Sequence, residues 1–272
     1  MCTATIIARR TGYVLGMNRD EQRSRVDAIP AAAHRIGNRV ALYPSEPSGG
    51  TWIGVNDSGI AYALLNWYSV PHRVVGKAVS RGEIVPMALP LNTSDEVTQA
   101  LTRRTLAEVN PFRLIGVFPE ARAVVEWCWD RRQLQHRVHP WRTGIWISSG
   151  FDEPAAQRIR GRTFGAALDQ KSVGTGDWLR RFHRSHAPEC GPNSICMHRP
   201  EAATVSYTEI DVSPGKVRLT YTPGAPCCTA PVAPLQLEST WDSPRKDRLE
   251  RQRTTRPGKA MPVIGTALSS KD

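Results

Sequence analysis

The second residue of the chain is a cysteine, a side chain small enough to permit removal of the initiating Met1. The mature chain is therefore expected to begin at Cys2, with a free α-amine and a thiol on one residue. Unperturbed, such an amine titrates near ~8 and a thiol near ~8.5, so close to neutrality one can act as base for the other. Cys2 would then be nucleophile and general base together.

That chemistry needs charged neighbours, and the following residues supply them. Residues 3–9 and 13–19 read as two strands joined by Arg10-Thr11-Gly12, a three-residue loop whose last residue tolerates positive φ. In this register Cys2 faces Asp20, inside the polar run Asn18-Arg19-Asp20-Glu21 that follows the apolar residues 13–17. Asp20 can hold the ammonium, and Arg19 can favour the thiolate.

A second group of reactive side chains comes late: His183, His186, Cys190, Cys196, His198, Cys227 and Cys228. Residues 194–198 read as a strand that directs Cys196 and His198 to one face, and residues 177–184 as a helix, with His183 and His186 on one face. Thiolates and imidazoles ligate zinc and haem. The spacing nevertheless fits no established zinc pattern, so neither a metal nor a cofactor is expected. Arg199, just beyond, is a candidate anchor for a carboxylate or phosphate.

Several elements must position these groups. A second hairpin is expected at residues 51–55 and 60–66, turned at Asn56-Asp57-Ser58-Gly59. Its second strand, apolar throughout, suits burial on both faces. Ser80 to Glu83 and Thr93 to Glu96 each place a hydroxyl three residues before a glutamate, predicting two capped helices. Strands follow at 112–118, 121–129, 134–138 and 144–148, helices at 153–168 and 177–184, and strands at 203–212 and 216–222. Strands, helices, strands, helices, strands: this order predicts an α+β fold, a four-layer α/β/β/α sandwich.

Met1-Cys2-Thr3, residues 16–21 (Gly-Met-Asn-Arg-Asp-Glu) and residues 49–56 (Gly-Gly-Thr-Trp-Ile-Gly-Val-Asn) resemble the signature of the NRDE family, whose eukaryotic members are transport and Golgi organisation proteins. Ser80-Arg81-Gly82 and residues 110–114 match the same family, over about residues 1–228 in all. A more distant similarity links Cys2-Thr3, residues 16–20 and residues 54–66 to bile-salt hydrolases and penicillin V acylases, cysteine N-terminal-nucleophile amidases of the same four-layer fold. This resemblance implies that Asp20 binds the new N-terminus and that Asn66 contributes to an oxyanion hole. Beside Asn66, Trp67 and Tyr68 could line a pocket for an acyl chain. Two departures stand out. Those amidases carry an arginine where this chain has Met17, Arg19 being expected on the other strand face, and an asparagine near the position of Ser149.

Composition sets the limits. With 272 residues and 40% hydrophobic side chains the chain can bury a large core, and no apolar run approaches the ~18 residues of a membrane span. Six cysteines without a secretory leader argue for a cytoplasmic protein without a disulfide framework. The net charge is +11, but residues 243–259 alone hold seven Lys or Arg against two acidic residues. Residues 1–230 are thus expected to form the domain and residues 231–272 a disordered basic tail, and nucleic acid is not the expected partner. The leading expectation is an amidase or thioesterase-like hydrolase of a small acyl substrate. The alternative is a non-catalytic carrier of lipid, acyl-CoA or haem.

Overall fold

The computed structural model describes residues 2–241 and 263–264. Two seven-stranded sheets form the centre. The first contains Cys2–Ala8 (β1) and Tyr13–Gln22 (β2). The second is a meander in sequence order: Ile29–Ile36 (β3), Arg39–Ser45 (β4), Ile53–Asn56 (β5), Ala61–Asn66 (β6), Phe112–Phe118 (β7), Ala123–Trp129 (β8) and Leu134–His139 (β9). Gly144–Ser148 (β10), Ala202–Ser213 (β11), Lys216–Thr222 (β12), Leu235–Glu238 (β13) and Val263–Ile264 (β14) complete the first sheet, whose order is β13-β12-β11-β2-β1-β10-β14. Four helices cover the outer faces: Ile84–Ala88 (α1), Ser94–Arg103 (α2), Glu153–Ala167 (α3) and Gly176–Arg184 (α4).

Strand alternation explains the layering. Ala4, Ile6, Tyr13, Leu15 and Met17 of the first sheet meet Ile53, Val55, Ala61, Ala63 and Leu65 of the second in one core. The residues between them point the other way. Ile7, Val14, Ile145 and Ile147 pack on Phe164, Trp178 and Phe182 of α3 and α4, while Tyr62, Leu64, Leu114 and Trp127 pack on α1 and α2. The result is the expected α/β/β/α sandwich, and β6 is indeed buried on both faces.

Several expectations need correction. Cys2 pairs with Arg19, not Asp20, across the first hairpin. Arg9 leaves the ladder to donate its N–H to the Gly12 carbonyl at 3.0 Å, so the loop has four residues. Gly12 sits at φ +96°, and a Cβ there would lie 1.9 Å from the Val212 carbonyl oxygen, so only glycine permits this turn against β11. Met17 and Arg19, two positions apart, share a strand face rather than occupying opposite ones. The Thr93 capping box is present, whereas Ser80 caps a single 3-10 turn and Glu83 pairs with Arg104 instead.

Residues 194–198 form no strand. They run as a loop that meets β11 through a bridge between His198 and Ala203 and through hydrogen bonds between Met197 and Thr204. The tail boundary also moves. Leu235–Glu238 extends the first sheet as β13, and Trp241 is buried in the inter-sheet core. Residues 242–262 and 265–272, which hold the whole basic run, lie outside the described residues.

Candidate active site

A cleft of about 240 Å³ opens where β1, β2 and β6 end together. Cys2 is half-buried at its floor, next to Arg19, Glu21, Thr51, Trp52 and Asn66 on the walls. Arg19 is almost fully buried; it stacks on the Trp52 ring, 4.4 Å from the centroid, and donates to Glu46 at 2.8 Å. Arg25 binds the same Glu46 carboxylate at 2.8 Å. Two arginines and two glutamates therefore brace one another on this side, with Arg19 and Glu21 3.5 Å apart.

Burial pushes the Cys2 thiol above its ordinary pKa, and the charge of Asp20 adds to this. The Asp20 backbone N–H and the Arg19 guanidinium pull the other way. The thiol thus has stabilising groups for its anion in place, together with a burial that resists ionisation.

Asp20 lies on the opposite face of β2, under α3. Its Oδ1 accepts from the Thr204 hydroxyl at 2.6 Å, and its Oδ2 from Arg160 Nη1 at 3.3 Å. The same Arg160 nitrogen donates to the Thr3 hydroxyl at 2.7 Å. Both charged side chains are fully buried. A buried carboxylate is tolerable only when paired and hydrogen-bonded in this way. Opposite Asp20, β11 is irregular: its register to β2 shifts between Thr204 and Ser206, a bulge that aims Thr204 at the carboxylate.

The other expected site residues divide. Asn66 lines the cleft with one amide N–H donated to the Tyr68 hydroxyl at 2.9 Å, leaving its second N–H for another acceptor. Asn18 points away, its amide donating to the carbonyls of His183 and Ile195 at 2.9 Å each, so it ties β2 to α4 instead of reaching substrate. Ser149 is buried one residue beyond the Ser148 that pairs with Cys2 and does not line the cleft. Trp67 does not line it either. Tyr68 and Arg199 line a neighbouring cavity of about 230 Å³ that shares Asp20 and Glu21 with the cleft. Arg199 is committed there to Glu201 and to the face of Phe151.

Arg81 was not singled out by residue type. It lines the cleft, donates to the Pro111 carbonyl at 3.2 Å and has no carboxylate partner among the described residues. Burial holds its guanidinium below the usual pKa. The signal was already in the sequence: Thr51-Trp52, Ser80-Arg81-Gly82 and Asn110 converge on this one cleft. The close packing of Gly50 on Gly82, with a Cβ at Gly82 3.0 Å from the Gly50 Cα, brings the first two together.

Residues 1–170 match the sequence profile of Transport and Golgi organisation 2. The chain belongs to that family. No curated protein sequence matches it. Among solved structures it is similar to a mutant of conjugated bile acid hydrolase from Clostridium perfringens, at 11% identity and a TM-score of 0.49 over 89% of this chain and 98% of that one. It is also similar to penicillin V acylase from Agrobacterium tumefaciens, at 12% identity and a TM-score of 0.46 over 88% and 86% of the two chains. Among the described residues no helix is long and apolar enough to cross a membrane.

Proposed function

We propose that this member of the family is an N-terminal-nucleophile cysteine hydrolase of small amide or thioester substrates, active once Met1 is removed. The observation that carries the reading is the position of Cys2 in the cleft, paired across β1 and β2 with Arg19 and beside an Asp20 backbone N–H that favours its thiolate. The α-amine takes the thiol proton as sulfur attacks the substrate carbonyl. The free Asn66 N–H steadies the oxyanion, and the amine returns the proton to the leaving group. Water then releases the acyl group from sulfur. The unpaired Arg81 fits a carboxylate or comparable anion on the substrate.

Intact mass tests the first requirement: the native protein should lack Met1, and a retained or acetylated Met1 sinks the reading. Turnover of acyl amides with and without a carboxylate tests the second. Arg81→Leu should raise KM for the anionic set and leave the neutral set unchanged. A second reading, a carrier of lipid, acyl-CoA or haem, draws on a larger cavity of about 530 Å³ lined by Ile60, Phe118, Val125 and Trp241, away from Cys2. On that reading Cys2→Ala is silent and Phe118→Ala weakens ligand binding.

A further inference from the structure

Outside the cleft, two connecting segments, residues 185–201 and 223–234, bring metal-ligating atoms to one point. His186 follows α4, Cys196 and His198 precede β11, and Cys227 follows β12. Each offers one ligand atom, and the four atoms lie within 4.8 Å of one another. Cys196 Sγ is 3.6 Å and Cys227 Sγ 3.3 Å from the same atom, His198 Nε2. The His186 and His198 rings stand 5.0 Å apart and nearly perpendicular. His186 lies beyond the end of α4, which is why it meets His198 while His183 stays in the core.

As a hydrogen-bond network this arrangement is over-supplied. A neutral imidazole nitrogen has one lone pair, so it can accept from only one of the two thiols. As a coordination sphere it is complete. With metal–sulfur bonds of about 2.3 Å and metal–nitrogen bonds of about 2.0 Å, tetrahedral geometry separates sulfur from nitrogen by about 3.5 Å, close to both observed distances.

We propose that His186, Cys196, His198 and Cys227 form a tetrahedral site for a divalent borderline-soft cation, zinc foremost. Two thiols lose their protons to solvent as the ion binds, so the two thiolates balance its two charges. Four protein ligands leave no open position, which makes the site structural. It staples the loop before β11, whose Met197 N–H donates to the Thr204 hydroxyl at 2.8 Å. Thr204 in turn donates to Asp20, so the ion would steady the rear of the cleft without touching substrate. The sequence spacing fits no established pattern because Cys227, the fourth ligand, returns to the other three only after β11 and β12.

The untagged full-length protein, purified with zinc in the medium and dialysed, should carry about one zinc per chain by elemental mass spectrometry. Co²⁺ added to the metal-stripped protein should give strong visible bands and a near-ultraviolet thiolate band, a readout that needs no variant. His198→Ala and Cys227→Ser should each weaken zinc binding by more than the roughly 100-fold that a lost outer partner costs. Cys190→Ser and Cys228→Ser should keep full stoichiometry. Absence of both zinc and the Co²⁺ thiolate band overturns the proposal. So does a Cys196–Cys227 disulfide in freshly purified, non-reduced protein, or zinc that survives Cys227→Ser but is lost with Cys228→Ser.

Discussion

At Cys2 the proposed chemistry hangs on strand register. β1, β2 and β6 end side by side, and the hydrogen-bond ladder alone sets Cys2 across from Arg19 and Ser148. At Cys196 and Cys227 no ladder does this work: two connecting segments supply the side chains, the first held to the end of α4 by Cys196 N–H to the Ser185 carbonyl at 2.8 Å and to β11 by Thr204 N–H to the Met197 carbonyl at 2.8 Å. A reactive site can rest on regular structure because its backbone is already fixed. A site made of loops needs a further crosslink to reach the same order. Asp20 joins the two, facing the loop cluster through Thr204 while its backbone N–H faces Cys2.

The sharpest test removes the reactive end alone. Cys2→Ala should lower turnover at least ~1000-fold, the scale on which a nucleophile's loss is felt. The melting temperature should barely change, since the side chain is half-buried and small. A large drop in stability would mean that the thiol is a packing element like any other.

Breaking the joint should damage both ends. Arg160→Met leaves Asp20 without its buried cation, a loss of about 3–5 kcal/mol by analogy with other broken buried pairs. Chemical denaturation should show it, and thiol labelling at Cys2 should slow in parallel. An unchanged unfolding midpoint would show that Thr204 alone satisfies Asp20.

The contrast extends to the far edge of the first sheet. Trp241→Ala should cost about 3 kcal/mol, as for other buried tryptophans. A chain ended after residue 231, which also lacks β13, should fall further than one ended after 241. Equal melting temperatures for those two truncations would place residues 232–241 outside the cooperative unit.

The smallest effect concerns acid. His183 is fully buried beneath Gly16, and burial, aided by the charge of Arg160, lowers its pKa to about 3. Between that value and the ordinary 6.5 the unfolded chain binds a proton that the native one does not, so stability rises with pH across the window and is lost as pH falls. From pH 6.5 to 5 the wild type should lose about 2 kcal/mol from this group. His183→Phe should flatten the slope by that amount. A ring that titrates above pH 5 in histidine NMR would refute it.

How much of this was legible in the sequence depended on range. The hairpin that presents Cys2 is local, so its strands and charged neighbours were readable, and the one-residue error came from Gly12 packing on Val212, a contact 200 residues away in the chain. β3 escaped notice because its residues are mostly exposed and include Pro30 and Ala31 to Ala33, which give no alternation. The helix-face role of Asn18 and the free charge of Arg81 depend on elements far along the chain, α4 and residues 110–111. The loop cluster does not assemble from the sequence alone, since ligand spacing says little when two separate segments converge.

The order of strands also has a bearing on how the protein is made. The second sheet, β3 to β9, is contiguous and can pair as it leaves the ribosome. The sheet that carries Cys2 cannot. β1 is translated first, yet its neighbour β10 follows about 140 residues later and β11, which completes the support of Asp20, about 200 later. At ~5–20 residues per second Cys2 waits on the order of ten seconds or more for its surroundings. On the proposed function, the amino terminus would be open during that interval to the peptidase that removes Met1, while the thiol would have no cleft in which to act. Maturation and activation would then be separated in time by topology alone.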